Sequence, residues 1–106
     1  EEPEMINEII EAIKKLGVPV RYRNFKSPPP VPYAVYYEDD TDNFSADNIV
    51  YQKRTNYVLE FYENKKDQAA EEKIEKVLDQ NEVYWEKEEM YIESEKLLMT
   101  AFYFML

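Results

Sequence analysis

Asp39, Asp40, Asp42 and Asp47 place four carboxylates within nine residues, a density of hard oxygen ligands that suits a calcium or magnesium ion. The spacing fails the calcium-loop pattern. Counted from Asp40, position five is Phe44, position six is Ser45 instead of glycine, and position twelve is Tyr51 instead of glutamate. No metal is therefore expected there, and added calcium is expected to leave stability unchanged. The sequence has no histidine, no cysteine and one glycine, which removes imidazole bases, thiol nucleophiles, thiolate metal sites, disulfides and glycine-rich phosphate loops. Ser27, Ser45 and Ser94 are the only serines, and none has an imidazole to activate it. Paired carboxylates for glycoside hydrolysis are the remaining catalytic option, supported only by the abundance of acids. The reading is a non-enzymatic protein with no catalytic residues, metal or cofactor.

Phe44 is the anomaly in that acidic stretch, because a solvated turn has no use for an aromatic ring. Either it folds back on its own sheet or it anchors in a partner. The net charge of −10, from 23 acidic and 13 basic residues, repels nucleic acid and anionic lipid, so no direct grip on nucleic acid and no membrane are expected. No apolar run is long enough to span a bilayer.

The elements around these residues follow from periodicity. A chain of 106 residues with 44% hydrophobic and 15% aromatic content makes one ordinary domain. Met5 is a candidate native start and residues 1–4 a candidate extension, so the domain expected is 5–106. Met5, Ile6, Ile9, Ile10, Ile13 and Leu16 mark a first helix stopped at Gly17. Val18, Val20 and Tyr22 suggest a short strand. Pro28, Pro29 and Pro30 make a stiff surface connector, and Tyr33 to Tyr37 a second strand. From Ile49, odd positions Tyr51, Thr55, Tyr57, Leu59 and Phe61 alternate with polar residues, predicting a long strand with one buried face. Asp67 caps a second helix carrying Ala70, Ile74, Val77 and Leu78, with Asn81 as a left-handed stop. Val83 to Trp85 and Met90 to Ile92 read as two short strand segments flanking Glu86, Lys87, Glu88 and Glu89.

The run Leu97 to Leu106 is apolar on both parities, with Leu98, Phe102, Phe104 and Leu106 on one side and Leu97, Met99, Ala101, Tyr103 and Met105 on the other. It is either a central strand between two layers or a strand with one face against another subunit. The predicted fold is α+β in the order αβββαββ, with two helices packed on one face of a mainly antiparallel sheet. No third helix exists to cover the second face, which favours a subunit contact.

The stretches Asp42, Asn43, Phe44, Ser45, Ala46, Asp47 and Tyr91, Ile92, Glu93, Ser94, Glu95, Lys96, Leu97 give the chain a recognisable look. It resembles a family of small proteins from the head-to-tail region of long-tailed phages and prophages of Gram-positive bacteria, similar to tail-terminator or tail-completion proteins. Asn48 stands where many relatives would carry glycine, and asparagine tolerates the same left-handed turn. The resemblance implies a structural subunit that forms a homo-oligomeric ring, commonly a hexamer, and docks on other tail or connector proteins. It implies residence in the bacterial cytoplasm during assembly, then in the virion neck or tail. An acidic lumen would let DNA slide past. Asp42, Asn43, Phe44, Ser45, Asp47, Phe102, Phe104 and Leu106 are the candidate interface residues. The alternative is an acidic DNA mimic that inhibits a nucleic-acid-binding protein. Its carboxylates would have to follow phosphate spacing, whereas here they cluster near Asp40 and around Glu71 and Glu72.

Overall fold

The structure is a computed structural model that describes residues 2–39 and 55–106. Helix α1 (Glu2–Lys14) presents Ile6, Ile9, Ile10 and Ile13 as one buried stripe. It ends where Gly17 adopts a φ of 92°, a left-handed turn that costs glycine nothing because it has no Cβ. Strands β1 (Val20–Tyr22), β2 (Tyr33–Glu38) and β3 (Asn56–Glu63) follow, then helix α2 (Gln68–Gln80) and strands β4 (Trp85–Ile92) and β5 (Leu97–Met105). The element order is the expected αβββαββ.

The five strands lie in the order β1-β2-β3-β5-β4, antiparallel throughout except for the parallel β1–β2 pair. Parallel neighbours cannot be joined by a tight turn, so residues 23–32 must carry the chain back to the start of β2. The proline segment is that connector, and its missing N–H donors do no harm outside a ladder.

Strand register sorts the side chains onto two faces. Ala34, Tyr57, Leu59, Phe61, Thr100, Phe102 and Phe104 point toward the helices. There they meet Ile9 and Ile13 of α1 and Ile74, Val77 and Leu78 of α2, so both helices cover the same face. The predicted alternation of Tyr57, Leu59 and Phe61 is the register observed. The expected start of this strand at Ile49 lies outside the described residues.

Two sequence expectations are corrected. The charged run Glu86 to Glu89 does not separate two short strands but lies inside the continuous eight-residue β4. Strand β4 is an edge of the sheet, so its charged side chains reach water from a regular ladder, and charge there discourages unwanted pairing. The left-handed residue after α2 is Glu82, with φ 59°, not Asn81, with φ −94°. Glu82 N–H donates to Asp79 O and Val83 N–H to Leu78 O at 2.9 and 3.1 Å, a Schellman arrangement closed by Val83 packing in the core with Leu78. Asn81 instead turns its amide back to donate to Val77 O at 2.8 Å. The N-terminus of α2 is as expected, with Asp67 accepting from Ala70 N–H at 3.2 Å.

A left-handed glutamate is strained where glycine would not be. Glu82→Gly is expected to raise stability by about 0.5–1 kcal/mol, the relief of strain outweighing glycine's extra unfolded-state entropy. An unchanged or lower urea midpoint would contradict this.

Candidate interaction surface

Among the described residues no helix lies over the second face of the sheet. Three cross-strand rows form its middle, with the pairs Asn56–Met105 and Leu97–Ile92 at its two ends. Tyr37, Val58, Tyr103 and Glu86 form the first, Arg21, Val35, Glu60, Ala101 and Glu88 the second, and Tyr33, Tyr62, Met99 and Met90 the third. The short side chains Val35, Val58 and Ala101 are buried even here, because taller tyrosine, methionine and glutamate neighbours close over them. What remains at the surface is tyrosine and methionine and, toward the two margins, the charged Arg21, Glu86 and Glu88, with Tyr103 at 39% and Met90 at 50% exposure.

Glu60 organises the centre. Its two carboxylate oxygens accept from Tyr37 Oη at 2.7 Å and Tyr62 Oη at 2.6 Å. Burial, and then these bonds to Glu60, push both phenol pKa values well above the ordinary tyrosine range, so both hydroxyls stay donors. Tyr62 stacks on Tyr33 with centroids 5.1 Å apart, and Phe25 from the proline-containing connector meets Tyr33 edge-on at 5.4 Å. This pins the connector to one end of the face. At the other side Tyr103 Oη donates to Glu88 at 3.1 Å. A surface held by ring contacts and charge-assisted bonds is rigid before any partner arrives.

A second polar cluster lies on the helix side, between α2 and β4. Glu71 is 1% exposed. Lys87 Nζ donates to Glu71 Oε2 at 2.7 Å, and Lys66 Nζ sits 2.9 Å from Oε1 as a charge contact off the hydrogen-bonding direction. Burial alone would raise the Glu71 pKa, but the two lysines reverse this and hold it below the usual carboxylate range. Lys87 also pairs with Glu75, and Lys66 with Glu89. Beside them Glu63, 4% exposed, has one oxygen with no partner and a pKa pushed up to about 6 by burial and by the negative charges of Glu71 and Asp67.

A carboxyl near pH 6 is a trait of general acids, yet its free oxygen is enclosed and its neighbour Glu71 is clamped by two cations. The cluster ties β4 to α2. Among the described residues no group of three acidic side chains is arranged to hold a metal ion.

The expected interface residues divide in two. Asp42, Asn43, Phe44, Ser45 and Asp47 lie outside the described residues. Phe102 and Phe104 are buried under the helices at 0% and 4% exposure, and Leu106 packs against the same core. These three are core residues, so the face of β5 left for a partner is the opposite one, carrying Met99 and Tyr103.

No family model matches the chain, and no curated protein sequence does either. The geometry of the open face therefore carries the functional argument. Sequence reasoning missed the Glu60 hub and the Glu71 clamp. The available signals were Glu60 in the middle of the apolar strand β3, and Glu71 three and seven residues before Ile74 and Leu78, which puts it on the apolar stripe of an otherwise charged α2.

Proposed function

We propose that the protein is a non-enzymatic assembly subunit of a phage or prophage neck or tail end, working by homo-oligomerisation into a ring and by docking on other tail or connector proteins. The observation that carries this reading is a sheet face that no described element covers, with its ordered tyrosine and methionine side chains. Both described helices pack on one side of the five-stranded sheet, and Tyr and Met, which line the other side, are residue types enriched at interface cores. The resemblance of the sequence to head-to-tail proteins supplies the setting. The excess of acidic residues is compatible with DNA passing nearby without being held.

Sedimentation velocity across micromolar to millimolar concentration tests this reading. The native protein should form species heavier than one chain across that range. A monomer at every concentration would sink the oligomer reading.

A further inference from the structure

The open face is electrically bipolar. At its β1 margin, Arg21 lies over the Phe25 ring at 5.8 Å, and Arg23 lies over the Tyr22 and Tyr37 rings at 5.5 and 5.8 Å. Arg23 reaches that position from a left-handed backbone, φ 72°. Among the described residues neither arginine forms an ion pair. At the β4 margin the situation is the converse. Glu86 accepts from Tyr84 Oη at 2.9 Å and Glu88 from Tyr103 Oη at 3.1 Å, and neither forms an ion pair among the described residues.

These charges cannot neutralise each other within one chain. The order β1-β2-β3-β5-β4 puts them at opposite edges. Four strand spacings separate them by about 19 Å, beyond a physiological Debye length of about 8 Å. A second copy removes that separation.

Resting on the assembly reading, we infer that copies join head to tail, the β1 margin of one against the β4 margin of the next, with Arg21 and Arg23 facing Glu86 and Glu88. Strand polarity permits it. Through the pairings of the sheet, β4 runs opposite to β1, so copies related by rotation about an axis along the strands would set β4 antiparallel to the neighbour's β1. The contact uses two different surfaces, the heterologous type that closes into rings. Symmetric alternatives are disfavoured. A twofold β4–β4 pairing would oppose Glu86, Glu88 and Glu89 to their own copies, and a β1–β1 pairing would oppose arginines.

Two charge-reversed proteins test the inference, Arg21→Glu/Arg23→Glu and Glu86→Arg/Glu88→Arg, each first shown by circular dichroism to melt as the native protein does. Each alone should self-associate at least tenfold more weakly, because both of its margins then carry one sign. Mixed in equal amounts they should recover assembly, since every junction in an alternating array is again complementary. Native association should also weaken about tenfold from 50 to 500 mM salt, a readout that needs no variant. If the variants assemble like the native protein, or the mixture fails to recover, the edge contact is wrong while the assembly reading stands. If native association is unmoved by salt, the edge contact is likewise wrong. A native protein that never associates removes both.

Discussion

Glu71→Gln is expected to destabilise the protein by about 2 kcal/mol at pH 7, lowering the melting temperature by about 10 °C. The glutamine has nearly the same shape, so the loss isolates the charge. Glu71 is 1% exposed and receives Lys87 and Lys66, and removing its charge leaves two ammonium groups beside a neutral amide. Stranding a fully buried partner costs about 3–5 kcal/mol. Here the lysine side chains are 41% and 38% exposed and retain Glu89 and Glu75, so part of that cost is recovered through water and the remaining pairs. Because the folded pKa of Glu71 lies below its ordinary value of 4.5, the contribution is present above that value and is lost as pH falls through the folded pKa. Native and variant proteins should converge in acid. A variant as stable as the native protein at pH 7 would show that the clamp contributes nothing.

The fold was legible because its apolar periodicities are strong. The Ile6, Ile9, Ile10, Ile13 stripe and the Tyr57, Leu59, Phe61 alternation each have one reading, while the two-sided apolar run of β5 left two readings, a central strand between two layers or a strand with one face against another subunit; the structure makes it an interior strand with the described helices on one face. Strand β4 was harder, because an edge strand needs no apolar alternation and its charges imitate a turn. The left-handed stop fell on Glu82 instead of Asn81 because the Schellman bonds and the burial of Val83 fix the position, overriding local preference. For β5 the two faces were separable by parity, but which one the helices cover depends on register with β3, and register is a long-range property. The same limit hid the bipolar open face. Arg21 and Glu88 share a row only because three intervening strands align them. That arrangement also weighs against a DNA mimic, which would spread negative charge across its binding surface instead of placing arginines at one margin.

Glu63→Gln should have the opposite sign at neutral pH, stabilising the protein by about 1 kcal/mol at pH 7.5. Glu63 sits at the end of β3 with one carboxylate oxygen facing no donor, close to the charges of Glu71 and Asp67, with Lys66 giving partial relief. Burial and those charges raise its pKa from 4.5 to about 6, a difference worth about 2 kcal/mol between the two protonation states. The sign follows from proton binding. The folded state holds this proton more tightly than the unfolded one, so the favourable contribution is complete below about pH 4.5 and disappears as pH rises through about 6. Above pH 6 the native protein carries a buried, half-satisfied charge that glutamine does not. Glutamine keeps an oxygen able to accept the Asp67 backbone N–H but adds an amide donor, and an unpaired donor costs about 1 kcal/mol, which leaves roughly half of the 2 kcal/mol as net gain. Below pH 4.5 the gain vanishes and that cost remains, so the variant becomes the weaker protein. The measurement is the difference in unfolding free energy between native and variant chains at pH 4 and pH 7.5, where groups common to both cancel. A difference that changes by about 2 kcal/mol across that interval assigns the titration to Glu63, and a difference independent of pH would mean that the buried oxygen is solvated or paired in solution.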